Sequence, residues 1–426
     1  MRGRSRVRRA VLSAVAGAIA LTLAACTSSP GGAGLPSQHE ASLPRETSTK
    51  MSETLKEAVR LADASAGFAG VWAPWAGTWT AAEGTTTREG SKPATESMTF
   101  RIGQNTIPMT CTVLLKLVDE GKVELDDQLT KWLPGMVGVE GVTLRELCAN
   151  TSGIADYQGQ LGREFLTNPT RQWPPLELAS DGVAAPRYGK PGQAYGSSQT
   201  NAILLGMALQ NASGSSAADL FESELFGPLD MKATVLPPAS TLTVPGAHPD
   251  GYVSIPDAAG NPVCQTVTDV SRLSPSMGWT AGGVVSNLAD LKTFTQALAA
   301  GSLLSEKSTA EQRKGITNGA SWQKYGLGVQ QLGPLHGSSG SIPGYTSAMY
   351  ADPASGLTVV VALNNSTPGA AFARALAQRL ASIASKVPAE TKGAKVVESL
   401  PWSEAQMAAA MKKAAPCPAK EEPAKK

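Results

Sequence analysis

The sequence predicts an α+β domain: one antiparallel sheet is built from both ends of the chain and flanked by helices, with a mainly helical lobe inserted between the ends. Two observations carry this. Strand-like patterning is concentrated in residues 67–82 and 326–363, whereas residues 143–310 read mostly as helix and loop. Strands at both ends with helices between them pack most simply as one sheet with an inserted lobe, which leaves a cleft.

The first residues indicate export. Arg2, Arg4, Arg6, Arg8 and Arg9 form a basic segment before an apolar stretch from Ala10 to Ala25. That stretch is too short and too rich in small residues for a comfortable membrane span, and residues 1–25 read as a signal peptide. It ends in Leu23-Ala24-Ala25-Cys26, which looks like a lipobox, with Cys26 as the lipidated residue. An ordinary signal peptide with a chance cysteine is the simpler alternative. Arg8-Arg9 is also a weak match to a twin-arginine signal. The expectation is a lipid-anchored protein on the outer side of the cell membrane. Cleavage before Cys26 removes five arginines and no acids, so the formal charge falls from +2 to −3. A mildly acidic chain has no electrostatic case for binding nucleic acid.

Residues 26–49 are expected to form a flexible tether, since residues 27–46 are rich in Ser, Gly and Pro without periodicity. The domain then spans 50–386. Within it, helix is expected over 52–64, strands over 67–72 and 77–82 around a Pro-containing turn, and an amphipathic helix over 109–121 that stops at Gly121. Four strands are expected at 326–332, 335–338, 345–351 and 357–363, then a closing helix over 370–385. Residues 387–426 hold a short helix over 404–413, opened by Ser403 and Gln406 as a capping box, and then a disordered tail.

Besides Cys26 the chain has Cys111, Cys148, Cys264 and Cys417, and its three histidines, His39, His248 and His336, are far apart. None of these falls at metal-ligand spacing, so neither a metal nor a cofactor is expected. Four exported cysteines allow three pairings, which the residues alone leave open. Cys111 and Cys148 fall on helices expected to pack together, which makes their disulfide attractive; a free thiol nucleophile at Cys111 conflicts with its apolar periodicity.

Several spaced segments resemble the class C β-lactamase and D,D-carboxypeptidase family. They are Phe100-Arg101-Ile102-Gly103 leading into the helix that ends Leu117–Lys122, Thr151-Ser152-Gly153 after a helix, Pro191-Gly192, Leu205-Gly206, Gly278-Trp279 with Gly282-Gly283, and Gly340–Tyr345. The resemblance covers residues 50–385 and implies the fold already expected. It also implies three catalytic elements: a Ser-x-x-Lys pair on a helix, a Tyr-x-Asn, and a Lys or His before x-Gly on a strand whose backbone helps hold the oxyanion.

Each element is altered. Gln104 stands at the serine position and Ile107 at the lysine position, Ser197-Ser198-Gln199 replace Tyr-x-Asn, and Ser338 replaces the basic residue before Ser339-Gly340. Glutamine is no acyl acceptor, and isoleucine accepts no proton. The chain therefore reads as a pseudoenzyme with no catalytic residue. Its expected ligand-binding residues are Gln104, Asn105, Ser197, Gln199, Ser338 and Gly340, and its expected partner is a cell-wall peptide or an envelope protein. The enzyme rival is a serine hydrolase with relocated groups, Ser338 served by His336 two residues away on a strand face. Three further features read as structural. Tyr195 is ordinary packing; Ser321-Trp322-Gln323-Lys324 is a chance Ser-x-x-Lys in a turn entering a strand. Trp72, Trp75 and Trp79 are core and turn contacts rather than a carbohydrate platform.

Overall fold

A computed structural model describes residues 34–257, 263, 266–390, 392–397 and 399–416. The expected signal peptide, the expected lipidation residue Cys26, Cys264, Cys417 and most of the expected tail lie outside the described residues.

The main sheet has eight strands. Two come from the first part of the domain, β1 (Ala66–Ala73) and β2 (Gly77–Gly84). Six come from the last part: β3 (Ile316–Thr317), β4 (Gln323–Tyr325), β5 (Gln330–Leu332), β6 (Leu335–Ile342), β7 (Tyr345–Ala351) and β8 (Thr358–Leu363). Their order is β2-β1-β8-β7-β6-β5-β4-β3, and each neighbouring pair is antiparallel. The two chain ends meet at β1 and β8, where Phe68 faces Ala362 in register.

β1, β7 and β8 are buried along their whole length. A strand covered on both faces has no polar side to show, which explains the unbroken run Thr-Val-Val-Val-Ala-Leu in β8. Alternate residues still serve different layers. Phe68, Val360 and Ala362 join the core shared with the helical lobe, and Phe68 stacks on Phe100 there. Ala69, Val71, Val359 and Val361 join the second core. That core is roofed by α1 (Arg45–Leu61), by a helix at Gly369–Ala384 and by a short helix at Glu404–Ala414. Fully burying one such Phe or Val contributes about 1.5–3 kcal/mol.

Several boundaries differ from expectation for physical reasons. The tether ends early: α1 starts at Arg45, just after Pro44, and Leu43 is buried while Ser42 bridges to Thr78 beside β2. The expected strand 326–332 is strand only at Gln330–Leu332, and β4 ends before it at Tyr325, because residues 326–329 turn: the Gly326 N–H donates to Val329 C=O and Gly328 takes a positive φ of 76°. Lys324 therefore sits on a strand and not on a helix, which removes the Ser321–Lys324 pair from Ser-x-x-Lys chemistry. β6 runs to Ile342, four residues beyond its expected end. Trp72, Trp75 and Trp79 are all buried, Trp75 donating to Val387 C=O at 2.9 Å, so they are packing residues. The capping box of Ser403 and Gln406 is present.

The inserted lobe carries the elements that make the site. A 3₁₀ turn at Gly103–Asn105 runs into α2 (Thr106–Asp119). α3 (Leu144–Ala149) is opened by a Thr143–Glu146 capping box and closed by Asn150 in the left-handed region, φ 55°. α4 (Gln199–Ser213) starts at Gln199. The roof helix Gly369–Ala384 is α5 and Glu404–Ala414 is α6. Cys111 on α2 and Cys148 on α3 form a disulfide, so Cys111 offers no free thiol.

Candidate ligand pocket

The cleft between sheet and lobe is a pocket of about 600 Å³. Its walls come from the entry to α2 (Gln104, Ile107), the end of α3 (Asn150), the start of α4 (Ser197, Gln199), the edge of β6 (Ser338, Ser339, Ser341) and the first turns of α5 (Ala370, Ala371, Arg374). Five sequence segments far apart in the chain thus converge, and all five positions expected to carry the altered motifs, Gln104, Ile107, Ser197, Gln199 and Ser338, line this one pocket.

Close approach of backbones brings Gln104 to β6. Gly103 has φ +54°, and a Cβ there would stand 2.7 Å from the Ser341 nitrogen. A Cβ on Gly340 would meet the Gln104 nitrogen and the Ile102 oxygen, both at 2.5 Å. The two glycines let the turn and the strand touch. β5 pairs with β6 only from Leu335 to Gly337, so beyond Gly337 the edge of β6 is open toward the pocket.

The Ser341 N–H on that open edge donates to Gln104 Oε1 at 2.6 Å. Gln104 Nε2 donates to Gln199 Oε1 at 2.9 Å, which also accepts from Gln158 Nε2 at 3.1 Å. Behind them lies Asp156. Its carboxylate accepts from the Gln158 N–H at 2.9 Å and the Gln199 N–H at 3.1 Å, and burial raises its pKa above the usual carboxylate range despite these bonds. Asn150 Oδ1 accepts from Asn201 Nδ2 at 2.8 Å, which ties the α3 terminus to α4. Tyr195 lines the pocket as well as packing on Tyr325, with ring centroids 5.1 Å apart, so its expected role as ordinary packing is incomplete.

Of the six residues expected to bind ligand, Gln104, Ser197, Gln199 and Ser338 line the pocket. The structure corrects the other two. Asn105 is fully buried and donates to Ser347 Oγ at 2.8 Å, away from the pocket; Gly340 faces the Gln104 backbone and serves as a spacer. The Ser338–His336 rescue pair is corrected too. His336 is paired with Gln331 on one side and Ala351 on the other, inside the covered part of β6, and it is absent from the pocket wall. Asp156, Gln158, Ser341 and Arg374 were not expected. They carry no motif and reach the site only through tertiary packing.

Burial pushes the His336 ring down to about 4 from an ordinary 6.5, Arg313 adding to the effect and Asp352 opposing it. The unfolded chain then binds a proton between those values while the folded chain does not. Stability is therefore expected to fall as pH drops from 6.5 to 4, by up to about 3 kcal/mol. Urea unfolding of wild type and His336→Gln across this range checks it; equal slopes for the two proteins would refute the assignment.

The profile of the family described as Beta-lactamase matches residues 60–383. Penicillin-binding protein 4* of Bacillus subtilis (strain 168) is 28% identical over 285 residues, covering 61% of this chain and 59% of that protein. The D-alanyl-D-alanine-carboxypeptidase/endopeptidase AmpH of Escherichia coli (strain K12) is 35% identical over 164 residues, covering 36% of this chain and 41% of that protein. The matches thus span less than two thirds of the length of these relatives. Among solved structures, a D-stereospecific amidohydrolase from Streptomyces sp. superposes with a TM-score of 0.66 at 27% identity, covering 76% of this chain and 95% of that one. The penicillin binding protein from Bacillus halodurans shares the fold, with a TM-score of 0.61 at 22% identity, 73% and 94% covered.

Proposed function

The chain belongs to the Beta-lactamase family, with that family's β-lactamase/transpeptidase-like fold, and from this premise we propose that it is a non-catalytic binding member held at the cell envelope by lipid on Cys26. One observation carries the reading: the pocket is kept while its proton-transfer chemistry is gone. Among the described residues no lysine, histidine, carboxylate or cysteine lines it, and the wall includes Gln104 and Ile107, which by the family resemblance stand at the nucleophile and base positions. An acyl transfer needs a nucleophile and a group to take its proton, and the serine hydroxyls on the wall have no lysine, histidine or carboxylate there to serve them.

The lining favours a peptide carrying a carboxylate. Among the described residues Arg374 is the one charged side chain on the wall, and it forms no ion pair. A guanidinium in a partly enclosed pocket gives a carboxylate a charge-assisted, two-point partner. The relatives named penicillin-binding protein and D-alanyl-D-alanine-carboxypeptidase make a cell-wall peptide ending in D-alanine the natural candidate. The Cys111–Cys148 disulfide supports export, because such bonds persist outside the reducing cytoplasm.

The test has two arms. Fluorescent penicillin is expected to leave no label that survives denaturation, and N-acetyl-D-alanyl-D-alanine is expected to bind reversibly in calorimetry. A denaturation-resistant label overturns the non-catalytic reading, and absence of any dipeptide heat overturns the ligand class.

A further inference from the structure

We infer that Gln104 is the specificity-determining residue of this pocket: its carboxamide fills the subsite where a ligand's acyl or carboxylate oxygen would accept the Ser341 N–H. The inference rests on the binding reading above and deepens it.

Orientation comes first, because an amide can be built either way round. Ser341 presents a backbone N–H, which can face only an acceptor, so the Gln104 oxygen lies toward it and the nitrogen toward Gln199. Gln199 turns its own oxygen to two incoming N–H groups, from Gln104 and Gln158. Its backbone N–H donates to the Asp156 carboxylate at 3.1 Å, so Gln199 is held through both side chain and main chain. The result is a directed chain from Ser341 N–H through Gln104 to Gln199, whose main chain is in turn anchored on the Asp156 carboxylate. Aligned hydrogen bonds of this kind polarise one another.

The chemistry of the subsite follows from the sheet. Ser341 lies on the part of β6 that β5 leaves uncovered, so its N–H would otherwise point into the pocket. An unoccupied backbone donor at that place would recruit a carbonyl or carboxylate oxygen from any ligand that fits. Here the protein supplies that oxygen itself, from a side chain clamped at its other end. An incoming acyl oxygen has to displace an intramolecular bond. The pocket therefore engages its ligand through Arg374 and the outer hydroxyls and not through Ser341.

Full-length Gln104→Ala and Gln104→Glu test this by hydrogen–deuterium exchange on the peptide covering 338–344, with sodium acetate as the oxygen probe. Loss of the acceptor in Gln104→Ala is expected to speed exchange at Ser341, and acetate is expected to slow it again. Gln104→Glu keeps an acceptor oxygen over Ser341, so it is expected to stay protected and ignore acetate, as is the wild type. N-acetyl-D-alanyl-D-alanine is expected to bind Gln104→Ala roughly tenfold tighter than wild type, the gain of one hydrogen bond to a charged group. Unchanged exchange in Gln104→Ala, or exchange that acetate fails to slow, overturns the inference. So does a dipeptide affinity equal to wild type. If acetate protects Gln104→Ala while no protein binds the dipeptide, the subsite assignment stands and the ligand class proposed above falls.

Discussion

Fluorescent penicillin is expected to label Gln104→Ser/Ile107→Lys covalently, whereas wild type and Ile107→Lys alone stay unlabelled. The double substitution changes three things at once. A hydroxyl replaces an amide at the point where the 3₁₀ turn enters α2, and a lysine appears one helical turn on, at a position that already lines the pocket. The Ser341 N–H, now bonded to the Gln104 oxygen, becomes free for the oxyanion of the acyl transfer. Gln104→Ser alone regains the hydroxyl and the donor but has no base, so its labelling is expected to be slower than that of the double variant by about 10²–10⁴-fold. The tyrosine of the second motif is still missing, so the acyl-enzyme is expected to persist on the gel. Time-resolved labelling after denaturation reads the ratio. A correctly folded double variant that takes no label would mean that the scaffold has lost more than its motif side chains.

The fold was legible where it is redundant. Antiparallel strands at both ends, helices between them and family-like segments in order all point the same way, and β7 (Tyr345–Ala351) was expected to the residue. Register arguments were equally secure for Gln104, Ile107, Ser197, Gln199 and Ser338, because flanking glycines and apolar residues on both sides hold the spacing; all five line the pocket. What could not be read is what depends on a neighbour outside the local segment. Asn105 and Gly340 sit beside pocket residues in sequence, yet one bonds Ser347 and the other makes room for a backbone. Arg374 lies on α5 with no motif around it, and only the approach of that helix to β6 makes it a wall residue. His336 failed as a rescue candidate for a related reason. Strand alternation places it on the face of Ser338, but it does not reveal that β5 covers the sheet edge at His336 and stops at Gly337.

Removing the Cys111–Cys148 disulfide is expected to cost more stability than any other single alteration considered. The bond closes a segment of 37 residues, and restoring the freedom of a loop that long to the unfolded chain amounts to about 4 kcal/mol, with measured losses usually at 2–4 kcal/mol. The position amplifies the effect. Both cysteines are almost fully buried, Cys111 among the apolar residues of α2 and Cys148 beside Leu147 on α3, so Cys111→Ala/Cys148→Ala also leaves some unfilled space. The α3 end of the bridge is held twice, since the Gly328 N–H donates to Cys148 C=O at 2.9 Å. α3 ends at Asn150 and α2 begins after Gln104, so the bridge joins two walls of the pocket through short helical segments. Loss of the bond is therefore expected to lower the urea midpoint and to weaken dipeptide binding together. Reducing the wild type under conditions of partial unfolding is expected to give the same midpoint as the double alanine variant, within the small contribution of the missing sulfurs. A midpoint shift worth less than about 1 kcal/mol in both would show that the two helices are held by packing alone, and that the 37-residue segment is already constrained in the unfolded chain.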